Sequence, residues 1–160
     1  MRNVLILCTG NSCRSILGEA LFTHLGAGRM KAFSAGSHPT GRVNPNALAT
    51  LARHALPTDG YSSKSWDDLE GTPMDMVITV CDSAAGETCP AYLGTAVRGH
   101  WGLPDPAHAS GTQAEIDAAF EATYAALEKR VRALLALPLE SLADDDLAAA
   151  LRRVHEDAAP

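Results

Sequence analysis

The stretch Val4-Leu5-Ile6-Leu7-Cys8-Thr9-Gly10-Asn11-Ser12-Cys13-Arg14-Ser15 decides the architecture. Asn3 to Cys8 is a continuous apolar run, short enough to be a strand buried on both faces. Helical spacing follows from about Arg14 to Leu25, with Ile16, Leu17, Ala20, Leu21 and His24 on one face. The polar loop between them therefore joins a strand end to a helix start. In an open α/β sheet ligands bind at such a junction. The helix N-terminus adds unpaired N–H groups and a partial positive charge.

Working outward, Lys31 to Ser34 is a short strand candidate, and Ala35 to Val43 is rich in turn residues. Asn44 as N-cap and Pro45 at the first helical position open a helix running to about Ala55. Ser65 with Asp68 marks another short helix start. Met74 to Val80 is predicted as a second buried strand and Ala96 to Trp101 as a weaker one. Asp82 to Thr95 has no clear period and is predicted as a long loop. An Ala-rich helix from about Gln113 to Leu137 stops at Pro138, and an acidic helix from about Ser141 to His155 follows. Strands alternating with helices predict a single α/β domain, a four-stranded parallel sheet with helices on both faces. Residues 1–138 are expected to form its body, with 139–160 a helical extension packed on it or trailing from it.

The chain has 160 residues, 46% of them hydrophobic, and a formal net charge of -6, which suits one sizeable core. That acidic balance argues against nucleic-acid and membrane-surface partners, since no basic excess neutralises phosphates. No apolar stretch approaches a membrane span, and the N-terminal apolar run is too short for a secretory signal, so a cytoplasmic location is expected. The four cysteines, Cys8, Cys13, Cys81 and Cys89, are then either inert thiols or thiols that do chemistry.

Five residues separate Cys8 from Arg14, enough for the backbone to curl and turn successive N–H groups inward as an anion nest. Gly10 offers permissive dihedrals and Asn11 tolerates a left-handed conformation. Thr9, Gly10, Asn11, Ser12, Cys13, Arg14 and Ser15 are the candidate oxyanion-binding residues. Cys8 at the floor is the candidate nucleophile, its thiolate expected at a pKa of roughly 3.5–7.5 in such a setting. Arg14 presents a planar fork of donors to a tetrahedral oxyanion, and Ser15 can donate to the thiolate. Phosphate and arsenate share the charge and geometry this cradle would bind. No G-x-x-x-x-G-K-[ST] loop occurs.

Cys8-Thr9-Gly10-Asn11-Ser12-Cys13-Arg14-Ser15 resembles the loop of the low-molecular-weight protein tyrosine phosphatases and of the arsenate reductases built on the same fold. Ser34-Ala35-Gly36-Ser37, Val43-Asn44-Pro45 and Asp105-Pro106 are similar to further stretches of both groups. The segment Val80-Cys81-Asp82-Ser83-Ala84-Ala85-Gly86-Glu87-Thr88-Cys89-Pro90 resembles the redox segment of the thioredoxin-coupled arsenate reductases, although some of those space the cysteines one residue closer. His100-Trp101-Gly102 resembles arsenate reductases too, and Ala107-His108 stands where a phosphatase more often has tyrosine.

The resemblance implies an arsenate reductase with Cys8, Arg14, Cys81, Cys89 and Asp105 as catalytic residues. Cys8 attacks arsenate, and Asp105 assists departure of water. Cys81 displaces arsenite by forming a disulfide with Cys8, and Cys89 carries it to Cys81–Cys89. Thioredoxin, or alternatively glutaredoxin, restores the thiols, and phosphate competes with arsenate. In some arsenate reductases residues matching Asn11, Glu19 and Ser34 bind potassium, which makes potassium a candidate ion here; no other cofactor is required. Two other functions stay open: a phosphatase in which Cys81 and Cys89 are incidental, and a non-catalytic arsenic oxyanion sensor. Zinc is disfavoured, because Cys8 and Cys13 alone have ligand spacing and Cys13 lies within the cradle. Cys13 is expected to pack.

Overall fold

The computed structural model describes residues 2–158; Met1, Ala159 and Pro160 lie outside them, the last two belonging to the expected extension. Four parallel strands form one sheet: β1 (Arg2–Leu7), β2 (Met30–Ala35), β3 (Met76–Thr79) and β4 (Val97–His100), in the order β2-β1-β3-β4. The central strand β1 pairs in register with Met30–Ala35 on one side and Met76–Thr79 on the other. Its side chains alternate between two cores. Val4 and Ile6 enter the larger, and Leu5 and Leu7 the smaller, as the strand's period of two requires.

Helices cover both faces. On the larger core lie α1 (Arg14–Leu25), α2 (Pro45–Arg53), α4 (Gln113–Leu135) and α5 (Asp144–Ala158). The other face carries the short 3-10 helices Trp66–Leu69 and Ala91–Leu93. The ends follow the chemistry already noted. Asn44 Oδ1 accepts from Asn46 N–H with Pro45 at the first turn, and Thr112 with Glu115 forms a capping box for α4.

The segment expected to be a long loop, Asp82 to Thr95, is more ordered than its sequence suggests. It contains the one-turn helix α3 (Asp82–Ala85), capped by the sulfur of Cys81, and the Ala91–Leu93 turn. A single turn gives no periodicity to read, and a cysteine is not an N-cap that sequence rules anticipate.

The last helix, α5, belongs to the larger core. Leu147, Ala150, Leu151 and Val154 are buried, and Trp101 Nε1 donates to Leu151 O at 2.9 Å. Gly99 lies so close that a Cβ there would meet Leu151 at 2.9 Å. No described helix is long and apolar enough to cross a membrane.

Candidate active site

The cradle is shaped by what holds its carbonyls. Thr9 O accepts from His38 N, Gly10 O from Thr40 N and Ser12 O from Asn44 N, each at 3.0 Å. Pulled outward by the turn-rich segment, these carbonyls leave the N–H groups facing in. The N–H groups of Asn11, Ser12 and Cys13 have no acceptor among the described residues. Gly36 makes this docking possible, because a Cβ there would lie 2.6 Å from Cys8 O and nearer still to Thr9 O. The left-handed residue is Asn11 (φ 46°) and not Gly10, whose role is spatial: a Cβ would press on Thr40 at 3.2 Å.

A cleft of about 360 Å³ opens over the loop, lined among others by Cys8, Thr9, Arg14, Cys81, Asp105 and His108. Arg14 Nη1 donates to Leu103 O at 2.7 Å, and Nη2 lies 3.5 Å from Asp105. Its buried Nε has no partner among the described residues, a donor left over for a ligand. Asp105, expected from the resemblance, is thus drawn to the cradle by Arg14, and its other oxygen accepts from Ala107 N–H. His108, which the sequence singled out for no role, sits 3.6 Å from that carboxylate.

Cys81 reaches the same place from the end of β3. Its sulfur lines the same cleft as Cys8 and accepts from Thr9 N–H and Ala84 N–H, both at 3.4 Å. These donors decide where the negative charge rests. The neighbouring Cys8 lowers Cys81 to about 5 against the pull of burial, with Thr9 and Ala84 assisting. Cys8 is pushed up by its neighbour Cys81 and by burial, which outweigh Arg14 and Gly10 N–H. The expectation of a low-pKa Cys8 is therefore corrected. Within the pair the direction favours the thiolate on Cys81, which accepts from Thr9 and Ala84.

Other expected residues are placed differently. Asn11 and Ser15 do not line the cleft; both are fully buried, and Asn11 Nδ2 donates to Ser15 Oγ and Ser34 Oγ. They brace the loop, and the only hydrogen-bond partner of Ser15 Oγ among the described residues is Asn11. Cys13 is buried, its thiol pushed up to about 11 by burial and by Asp105, as suits a packing residue. Cys89 is half-buried against the smaller core, whereas Cys8 and Cys81 belong to the larger one. All four thiols are free.

The residues matching a potassium site do meet, but a lysine stands among them. Lys64 Nζ donates to Ser34 O and Ser62 O at 2.9 Å, and its charge bears on Glu19, which accepts from Ser34 Oγ. Asn11 Oδ1 is taken by Lys64 N–H. A built-in ammonium leaves this arrangement no charge for potassium to balance, so the residues do not fit that ion. Nothing in the spacing of Lys64 signalled this. Among the described residues no group of three or more His, Cys, Asp or Glu is placed to hold a metal.

A strand-to-helix loop with a buried cysteine, a guanidinium and inward N–H groups defines an enzyme class that forms a covalent thiol adduct with a tetrahedral oxyanion. The family model for low molecular weight phosphotyrosine protein phosphatases matches residues 3–148, and the chain belongs to that family. It is 35% identical over 129 residues to an arsenate reductase of Halalkalibacterium halodurans, covering 81% of this chain and 91% of that protein. A solved arsenate reductase in its phosphate-binding state superposes with a TM-score of 0.72 at 28% identity, over 85% of this chain and 98% of that one. The thioredoxin-dependent arsenate reductase of Corynebacterium glutamicum gives a TM-score of 0.62 at 26% identity, over 85% and 61%.

Proposed function

We propose that the protein reduces arsenate to arsenite and is recycled by thioredoxin. The observation that carries this reading is the Cys81 sulfur, which lines the same cleft as Cys8 and accepts from Thr9 N–H and Ala84 N–H, donors that favour its thiolate. Phosphate hydrolysis has no use for a second charged sulfur behind the nucleophile. Transfer of two electrons does.

Arsenate enters the cradle on the free N–H groups and Arg14. Cys8 attacks arsenic, and water departs with the proton of Cys8 and with help from Asp105. The Cys81 thiolate then attacks the Cys8 sulfur. A sulfur–sulfur bond forms and the sulfur–arsenic bond breaks with its electron pair going to arsenic, which leaves as arsenite. Cys89 attacks Cys81, and Cys8 departs as a thiolate that Arg14 and Gly10 N–H stabilise. Thioredoxin reduces the Cys81–Cys89 disulfide, its own dithiol being oxidised. The curated arsenate reductase relatives and the thioredoxin-dependent structural neighbour support this reading.

Fully reduced protein given arsenate and no other reductant should lose two thiols per arsenite released. An unchanged thiol count with rapid hydrolysis of an aryl phosphate would establish the phosphatase instead. Binding of arsenate with neither reaction would establish the sensor.

A further inference from the structure

Two cavities adjoin along β4, the edge strand. One, of about 220 Å³, lies beside Cys89 and is lined by Val77, Thr79, Ala84, Arg98 and His100. The second, of about 280 Å³, shares Arg98 and His100 and continues onto α5 at Arg152, His155 and Glu156. Together they form one groove running from Cys89 around the sheet edge.

Its charge is opposite to that of the molecule. Arg98 and Arg152 are exposed and have no carboxylate within 4.0 Å among the described residues. Behind them Arg130 is 4% exposed, and its Nε donates to His155 Nδ1 at 2.9 Å and its Nη1 to Ala126 O. A third guanidinium therefore backs the groove wall with a carbonyl and an imidazole for partners and no carboxylate. The acids present are Glu156 and Asp82, and Asp82 is already engaged by His100 at 2.9 Å. In a chain of net charge -6, such a gathering beside a thiol attracts an acidic surface that the rest of the molecule repels. Among the described residues the outer edge of β4 also pairs with no other strand.

We infer that this groove, from Cys89 over Arg98 to Arg152, is the docking surface for the protein that reduces the Cys81–Cys89 disulfide, a small dithiol protein with an acidic face. The inference rests on the relay above. Arg98 on β4 and Arg152 on α5 lie outside the segment that rearranges when the Cys81–Cys89 disulfide forms, so a reductant held on them meets that disulfide and its thiolate attacks the Cys89 sulfur. A mixed disulfide forms and Cys81 leaves as a thiolate. The second thiol of the reductant then releases Cys89.

The test uses thioredoxin with its reductase as the probe, on the parent protein and on Arg98→Glu and Arg152→Glu. Each reversal should raise the KM for thioredoxin roughly ten-fold, and raising salt from about 0.05 M to about 0.5 M should raise the parent's KM likewise. Thiol loss on the first arsenate turnover, and reduction of the oxidised protein by dithiothreitol, should not change. Arg98→Gln with Arg152→Gln, milder in their effect on folding, should move KM in the same direction. An unchanged KM in variants that complete the first turnover overturns the docking surface alone. Failure of the parent to lose two thiols overturns the relay, and the docking inference with it.

Discussion

Cys81 shows how position changes the chemistry of one atom. Burial alone would keep this thiol protonated; the neighbouring Cys8, with donors from Thr9 and Ala84, instead holds it near 5. Because the pKa is lowered, the thiolate is present above about pH 5 and is lost as pH falls through that value. Donors from Thr9 and Ala84 stay in place after Cys8 has given its proton to the departing water, so the rate of arsenite release in a single turnover, followed from pH 9 to pH 5, should fall on acidification with a half-point well below the ordinary thiol value. Stopped-flow thiol counting across that range checks it, and a half-point near 8 or 9 would contradict it. Lys64 is the second case. Lys64→Met removes two hydrogen bonds and leaves two carbonyls and the half-buried Glu19 without a cation. A loss of about 1–3 kcal/mol is expected in urea unfolding. Added potassium should restore stability to the variant and do nothing for the parent; an equal response in both would contradict the role given to the lysine.

At the scale of elements, α3 and its flanks hold the relay shut. Cys81 belongs to the larger core and Cys89 rests on the smaller, so a disulfide between them calls for the segment from Asp82 to Thr88 to rearrange. Two clasps restrain that motion. Asp82 meets His100, which also contacts Thr79 Oγ1, and Glu87 accepts from Thr9 Oγ1 at 3.0 Å with His38 at 3.9 Å. Glu87→Ala removes the second clasp and should speed transfer of the disulfide to Cys81–Cys89 several-fold, a gain of about 1 kcal/mol, the net worth of one typical hydrogen bond. Arsenite release before it should be unchanged. Trapping with a thiol alkylator and mapping the bridged peptides separates the two steps; equal slowing of both would mark Glu87 as merely structural.

On the scale of the whole molecule, the C-terminal helix closes the core instead of decorating it. Trp101 is fully buried between Phe22, at 6.0 Å between ring centres, and the backbone of α5. Arg2 and Arg29 pin the connection from α4 to α5 by donating to the carbonyls of Leu135, Leu137, Leu139 and Leu142. Leu151→Ala should cost about 2–5 kcal/mol in chemical denaturation, as emptied core sites do. The folded fraction should keep its first turnover, because α5 lies away from the cradle. A cost under about 0.5 kcal/mol would show that the helix is dispensable.

The sequence by itself determined the junction: an apolar run, a Gly-Asn loop, a cysteine and an arginine with five residues between them, and a helix behind them. Those are local facts of hydrophobic period and backbone freedom, so β1, α1, the Asn44 cap and the place of Cys8 were legible from neighbouring residues alone. Asp105 was legible only through the family's pattern, since a single acid between prolines carries no period. Tertiary structure decided what depends on contacts between distant segments. It set the charge on Cys81, which needs Thr9 from 72 positions away. It placed Lys64 against Ser34, His38 and Thr40 against the loop carbonyls, and Arg98 beside Arg152. Hydrogen bonds and charges act over a few ångströms in space, and chain order does not encode which distant atoms will come that close.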